Sequence, residues 1–101
     1  MLVRGQYDLS QNYPNPFNPS TFISYSVPAL VDPQKKEGIY KRVTLMIYDI
    51  LGREIKTLVN ENQNPGNYKV KFNGGDLASG IYFYRLQVGS FVSVKKMMLI
   101  K

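Results

Sequence analysis

Strict alternation of apolar and polar residues limits this chain to β structure. Tyr68, Val70 and Phe72 alternate with Lys69 and Lys71, and side chains with a period of two point to opposite faces of a strand. A slip of one residue would bury both lysines, so the register of this stretch is well specified. We therefore predict a strand over residues 68–72 with one face in the core and one in water.

The same alternation recurs along the chain, and no stretch of about ten residues shows a helical period. The predicted strands cover residues 22–27, 43–48, 54–59, 68–72, 82–88 and 91–100, with a short candidate first strand at 6–9. About seven short strands separated by turn signals are typical of a Greek-key β-sandwich. We predict one all-β domain over residues 1–101, in which residues 1–8 are the lead-in and contain the start of that first strand.

Glycine marks two of the predicted reversals. Gly52 supplies a positive φ in the turn over residues 50–53, and the Gly-Ser pair at 89–90 forms a two-residue hairpin loop. Tyr82 stands at the start of the sixth predicted strand, where a tyrosine hydroxyl can bond back to the preceding corner. Tyr82 is therefore a candidate tyrosine corner of a sandwich.

Proline shapes the longer connections. Residues 10–20 contain three prolines, which bias the backbone away from helix, and we predict an ordered loop or an extended edge, pinned to the core by Tyr13 and Phe17. The Pro-Gly pair at 65–66 fits the centre of a type II turn. The polar connection over residues 28–42 is long enough to predict a flexible loop.

The last predicted strand has no clean apolar face. One alternate set is Phe91, Ser93, Lys95, Met97 and Leu99, and the other is Val92, Val94, Lys96, Met98 and Ile100. A β-bulge at Lys95 and Lys96 would switch the pattern and leave an ordinary last strand. Alternatively, an edge strand presents residues 97–100 and a basic tip to a receptor. The sequence leaves both interpretations open.

The composition excludes most catalytic classes. The chain has no histidine and no cysteine, which removes the usual general base, the thiol nucleophile and most transition-metal ligands. Glu37, Glu54 and Glu61 lie in or beside polar connections with no sign of a shared cleft. Turn chemistry explains Asn73 and Asp76 better than calcium binding does. We predict no enzyme activity, no metal and no cofactor.

The basic charge does not indicate nucleic-acid binding. Thirteen Lys and Arg against seven Asp and Glu give a net charge of +6, but no nucleic-acid motif accompanies it, so a solvated outer face is the better interpretation. The longest unbroken run of Leu, Ile, Met, Val or Phe is residues 97–100, far shorter than the roughly 20 residues of a spanning helix. Residues 1–6 lack the apolar stretch of a signal peptide, so an export signal would have to lie on a preceding part.

Three motifs occur in order along the chain. They are LSQNYPNPFNPS at 9–20, a stretch at 43–53 ending in IYDILGR, and residues 77–101, which run from LASGIY to KKMMLIK. Together they resemble the C-terminal sorting domain, type A, of the type IX (Por) secretion system of Bacteroidota and related phyla. The resemblance covers nearly the whole chain, and three blocks in this order make it specific. It implies an immunoglobulin-like sandwich.

The resemblance also implies a function. A domain of this family directs an N-terminal cargo from the periplasm to the cell surface or beyond, through an outer-membrane translocon and its shuttle proteins, and a sortase-like cysteine protease then removes it. The motif positions are Asn15, Pro16, Phe17, Pro19, Tyr48, Asp49, Gly52, Arg53, Gly80 and Tyr82. The candidate recognition residues are Lys95, Lys96, Met97, Met98, Leu99, Ile100 and Lys101.

Two other functions are considered beside sorting. Flagellar hook-capping proteins carry a similar immunoglobulin-like domain, but a sorting domain must end its chain, so Lys101 as a native terminus favours sorting. A carbohydrate-binding module would need exposed Tyr7, Tyr40 or Tyr84 to line a flat aromatic platform. The predicted edge strands also allow self-association. The connection over residues 28–42 is longer than the family leads us to expect and is interpreted as an indifferent insertion.

Overall fold

The computed structural model describes residues 2–4, 6–31 and 41–101, and in these ranges every regular element is a strand. In chain order the strands are β1 (Leu2–Arg4), β2 (Asp8–Leu9), β3 (Ser20–Val27), β4 (Ala29–Val31), β5 (Lys41–Asp49), β6 (Glu54–Gln63), β7 (Gly66–Asn73), β8 (Gly80–Val88) and β9 (Phe91–Leu99). The prediction of an all-β chain is confirmed.

The strands pair into two main sheets and one short ribbon. A three-stranded sheet has the order β2-β3-β7, a four-stranded sheet has the order β6-β5-β8-β9, and β1 pairs with β4. All of these pairings are antiparallel. The two main sheets thus use seven strands within the described residues, which is the number that the turn signals predicted.

The inward faces of both sheets share one core. Tyr68, Val70 and Phe72 turn inward on β7 while Lys69 and Lys71 stay exposed, so the predicted register of this strand is confirmed. The other buried apolar residues of the long strands are Ile23, Tyr25, Val27, Val43, Leu45, Ile47, Val59, Tyr82, Tyr84, Leu86, Val88, Met97 and Leu99. Each buried side chain of this size contributes about 1.5–3 kcal/mol. The fold is a β-sandwich, and the immunoglobulin-like relationship stays a prediction.

Two connections differ from the sequence prediction. Gly66 has a φ of 155° and pairs with Val27, so it opens β7 instead of forming a type II turn, which requires a φ near +80°. The reason is that the chain changes sheet here, since β6 and β7 belong to different sheets. The connection predicted over residues 28–42 contains β4 and the start of β5, and residues 32–40 lie outside the described residues.

The last strand is regular. Its pairing with β8 runs without a shift from Gly80↔Leu99 to Val88↔Phe91, so the first of the two interpretations, a bulge at Lys95 and Lys96, is wrong. The mixed pattern needs no bulge, because Lys95 lies half-buried on the inward side, where a lysine stem can cover apolar surface while its ammonium group reaches water.

The proline-rich loop is pinned to the core by one aromatic residue rather than two. Phe17 is buried as predicted, but Tyr13 is 80% exposed, so the prediction for Tyr13 is wrong. Tyr13 exchanges two backbone hydrogen bonds with Phe22, whose side chain points away from the core. Residues directly opposite in an antiparallel pair share a face, so Tyr13 points outward as well.

Candidate recognition surface

The outward side of β9 is mostly apolar. Val92, Val94, Met98 and Ile100 are 45%, 53%, 41% and 46% exposed, and Lys96 lies among them on the same side. We call these five residues the β9 outer row. Alternation normally places polar residues on the solvent side of an antiparallel sheet, so this row departs from what folding alone requires.

The structure divides the seven candidate recognition residues between two sides of one strand. Met97 and Leu99 are each 1% exposed and belong to the core. Lys96, Met98 and Ile100 are exposed in the β9 outer row. A partner protein therefore has access to the even-numbered residues, while Met97 and Leu99 stabilise the sandwich.

Lys101 is exposed and is hydrogen-bonded to the turn that precedes β8. Its backbone N–H donates to Ser79 Oγ at 3.0 Å, and its Nζ donates to the Gly75 carbonyl at 2.6 Å. Gly80, another predicted motif residue, begins β8 directly after this turn. These two hydrogen bonds thus fix Lys101, which follows β9, next to the start of β8.

The proline-rich loop covers the free backbone edge of β9. The Met98 N–H donates to Asn15 Oδ1 at 3.0 Å, and the Met98 carbonyl accepts a 2.9 Å bond from the Phe17 N–H. The Ile100 N–H donates in turn to the Phe17 carbonyl at 2.9 Å. Because these edge groups are occupied, a partner strand has no free ladder to join at Met98 and Ile100.

A buried asparagine that the sequence analysis missed holds this loop in place. Asn12 is 2% exposed, and its Nδ2 donates to Thr21 Oγ1 at 3.0 Å and to the Pro14 carbonyl at 3.1 Å. Its backbone N–H donates to the Tyr84 hydroxyl at 2.7 Å. Burial raises the pKa of Tyr84 to about 12, against a smaller opposing effect of the hydrogen bond from Asn12. In the sequence, the only sign of this role is that Asn12 is a polar residue close to the prolines of the loop.

Two further contacts connect the loop to both sheets. Gln11 Nε2 donates to the Lys96 carbonyl of β9 at 2.7 Å. The Pro19 carbonyl accepts a 2.7 Å bond from the Gly74 N–H, in the turn after β7. Pro16 is exposed. The first motif, residues 9–20, thus connects the two sheets along one edge of the sandwich, and we call it the clasp.

The second motif is a locked turn between β5 and β6. Asp49 Oδ1 accepts bonds from the Leu51 and Arg53 N–H groups at 2.9 and 3.0 Å, and Oδ2 accepts a 2.7 Å bond from Arg53 Nε. Gly52 has the predicted positive φ, 84°. The hydrogen bond from the Arg53 backbone is the main reason that the pKa of Asp49 is lowered. The motif residues Asp49, Gly52 and Arg53 therefore build the turn.

The locked turn presents two apolar side chains to solvent. Ile50 is 66% and Leu51 75% exposed. The turn follows Asp49, which pairs with Tyr82 at the end of the sheet where β9 finishes. Apolar surface is thus exposed both along β9 and at this end of the four-stranded sheet.

Tyr82 forms the predicted tyrosine corner. Its hydroxyl donates to the Ala78 carbonyl at 2.6 Å, and its ring is 8% exposed in the core. Tyr48, the remaining motif residue, lies half-buried on the outward side of β5. Tyr82 thus fixes the start of β8, the strand that pairs with β9.

Neither of the two described tyrosines considered for the aromatic platform of a carbohydrate-binding module is freely exposed. Tyr84 is fully buried, so it does not meet the condition set for such a platform. Tyr7 is half-buried and stacks on Phe91 with ring centroids 4.8 Å apart. Tyr40 lies outside the described residues.

The described ranges contain neither a metal-binding cluster nor a membrane-spanning helix. Within them, no group of three or more His, Cys, Asp or Glu side chains could hold a metal ion. Among the same residues, no helix has the length and hydropathy needed to cross a membrane.

Comparison with protein families gave one match. Residues 11–101 match the family model described as "Secretion system C-terminal sorting domain". The comparisons with curated proteins and with solved structures gave no match. The matched range begins at Gln11 in the clasp, includes β3 to β9 and leaves out β1 and β2.

Proposed function

The chain belongs to the family of secretion system C-terminal sorting domains, and we propose that the β9 outer row is the part of this signal that the export machinery recognises. The domain is a C-terminal sorting signal for type IX secretion, and the family is non-catalytic. It is therefore part of a cargo protein that travels towards the outer membrane or the cell surface. Neither the hook-capping nor the carbohydrate-binding alternative is supported.

One observation carries the proposal: four of the five side chains in the β9 outer row are apolar and exposed. The inward side of the same strand already supplies Met97 and Leu99 to the core, so the outward residues are not needed for packing. Exposed apolar residues grouped on one strand are typical of protein-binding sites. The edge contacts of Asn15 and Phe17 favour recognition through side chains over recognition by strand addition.

The proposal extends to the partners that the family resemblance implies. The N-terminal cargo and this domain pass from the periplasm through an outer-membrane translocon with the help of shuttle proteins. A sortase-like cysteine protease then removes the domain. The clasp supports recognition through the β9 outer row, because its hydrogen bonds to the Lys96 carbonyl and the Met98 N–H hold the backbone of β9 in place. Self-association stays a prediction for β6, which forms the other edge of the four-stranded sheet.

The test is export of a periplasmic reporter with residues 1–101 fused to its C-terminal end, in a host that has this secretion system. We expect the reporter at the cell surface, and removal of residues 95–101 should abolish its export. That deletion also removes Met97 and Leu99 from the core, so circular dichroism must accompany it.

A sharper variant keeps the buried side of β9. The double substitution Met98→Ser and Ile100→Ser changes only exposed positions. We expect a loss of export of at least about tenfold, with an unfolding midpoint close to that of the parent domain. Normal export of the double variant would refute recognition through the β9 outer row, and periplasmic retention of the unaltered fusion would refute its sorting activity in that host.

A further inference from the structure

We propose that the recognition surface extends over the outer face of β9, β8 and β5 in the four-stranded sheet and binds a protein surface that has an apolar centre and carboxylates. This inference rests on the proposed recognition of β9. It adds the neighbouring strands β8 and β5 and the chemistry of the partner. A part of the partner must therefore contact residues far from β9 in the sequence.

The register of the sheet places apolar and cationic residues in rows across three strands. Two such rows are Tyr48, Phe83, Lys96 and Met46, Arg85, Val94. Directly opposite residues on one face have Cβ atoms about 5 Å apart, so each row forms a continuous strip. Ile81 adds to the same face opposite Met98. The strips join the β9 outer row to the middle of the sheet.

The charge on the outward side of these three strands has one sign. On β5, β8 and β9 the outward charged residues are Arg42, Arg85 and Lys96, all of them cationic. On the neighbouring strand β6, the acidic residue Glu54 lies opposite Tyr48 at one corner of the sheet. A surface that matches this face needs carboxylates placed against Arg85 and Lys96, because complementary charge steers and orients protein association.

The same charges argue against a second copy of this chain as the occupant. Two copies meeting through this face would bring Arg85 and Lys96 of one against the same cations of the other. Like charges at a contact suppress association, and the chain as a whole carries a net charge of +6. The occupant is therefore a different molecule of opposite charge.

The shape of the face favours a protein over a lipid surface. Ile81 and Phe83 on the central strand β8 are only partly exposed, so they cannot insert into a bilayer as protruding side chains do. A regular sheet face instead packs against another flat layer at about 10 Å. The geometry points to a protein partner whose sheet or broad loop surface packs against β5, β8 and β9.

The test uses the reporter fusion in envelopes of the secreting host and a water-soluble carbodiimide. This reagent joins a lysine amine to a carboxylate as an amide with the net loss of water, so it detects a carboxylate in direct contact with Lys96. We expect tandem mass spectrometry to find Lys96 linked to an aspartate or glutamate of another protein. Lys96→Arg removes the amine that the reagent couples, so the adduct at this position should be lost.

Lys71 supplies a matched amine on the other sheet, because it is also exposed on an outward-facing strand position. Lys71 should give no adduct with the same protein. An equal yield from Lys71 would overturn the inference, and so would adducts of Lys96 only to another copy of this chain. Binding of the purified domain to phosphatidylglycerol vesicles that is lost in Lys96→Glu would assign the face to lipid and also overturn it.

Arg85→Gln separates this inference from the proposed function. Arg85 lies on β8, outside the β9 outer row, and we expect its substitution to reduce export by about tenfold without lowering the unfolding midpoint. If Arg85→Gln is exported normally while the Met98→Ser and Ile100→Ser variant is not, recognition is confined to β9 and the wider face is refuted. Normal export of both variants would refute both proposals.

Discussion

The two sheets of this sandwich have the same alternating strands but present different outer faces. On the three-stranded sheet Lys69 and Lys71 are exposed, and Lys69 Nζ lies 4.8 Å from the ring centroid of Phe22, which is 39% exposed. On the four-stranded sheet Val94 and Met98 are exposed instead. The lysines on the outer face of the three-stranded sheet show that this fold does not require apolar residues on its solvent side. We therefore attribute the exposed apolar residues of the four-stranded sheet to binding.

The largest expected effect concerns the clasp that covers one edge of the four-stranded sheet. Phe17 is 1% exposed, packs near Phe72 and carries the backbone contacts to β9. Phe17→Ala should lower the free energy of unfolding by about 3–5 kcal/mol. Phe22→Ala, on the outer face of the three-stranded sheet, should cost less than about 1 kcal/mol. Equal losses in urea unfolding would mean that the clasp is not part of the core.

The next effect comes from the buried polar contacts of the clasp. Asn12→Ala leaves Thr21 Oγ1 and the Pro14 carbonyl without their amide partner, which should cost about 1–3 kcal/mol. The matched change is Asn67→Ala, which removes an exposed hydrogen bond to Ser26 on the three-stranded sheet. It should cost less than about 0.5 kcal/mol. A difference smaller than the experimental error would contradict the role given to Asn12.

A smaller effect on the free energy of unfolding should appear in alkaline solution, and it involves one buried tyrosine in each sheet. Burial raises the pKa of both Tyr25 and Tyr84 to about 12, so folding favours their neutral forms. Their contribution to stability is complete below the unfolded pKa, near 10, and is lost as the pH rises towards the folded value. Near pH 11 each should have lost about 1 kcal/mol.

Phenylalanine substitutions test this assignment one sheet at a time. Tyr84→Phe should remove part of the alkaline loss that urea unfolding measures, and Tyr25→Phe should remove another part. An alkaline loss that both variants retain in full would contradict titration of these hydroxyls. Since Tyr84 contacts Ser10 and Asn12, its variant should also loosen the clasp.

The smallest effect should be seen in acid at the turn after β5. The pKa of Asp49 is lowered, chiefly by the hydrogen bond from the Arg53 backbone. Its contribution is therefore present above the unfolded pKa, near 3.9, and is lost as the pH falls through the folded value. In Asp49→Asn the acid-dependent loss measured by thermal unfolding should be smaller than in the parent. An unchanged acid profile would show that the carboxylate does not lock the turn.

The alternation of side chains was sufficient to predict most of the fold because it is a local property. It identified β3, β5, β7 and β8, and the contact from Tyr82 to Ala78 spans only four residues. The turn at Gly52 could be predicted for the same reason. In these elements the signal and the structure it specifies lie within a few residues of each other.

The clasp could not be predicted because its partners are distant in sequence. Gln11 and Lys96 are 85 residues apart, and Asn15 and Met98 are 83 apart. The face that β9 turns to the core also depended on its register with β8, since both alternate sets contain apolar residues and a lysine. For this reason the sequence identified the last strand as a candidate but not which of its side chains are accessible.

Export of two single charge reversals tests the central claim most directly. Lys96→Glu lies in the β9 outer row and Lys71→Glu on the outer face of the three-stranded sheet, and both positions are exposed. The two variants have the same net charge, so only the face differs. We predict that Lys96→Glu lowers surface display of the reporter by at least about tenfold while Lys71→Glu leaves it unchanged. Equal display of the two variants would contradict recognition through the outer face of the four-stranded sheet.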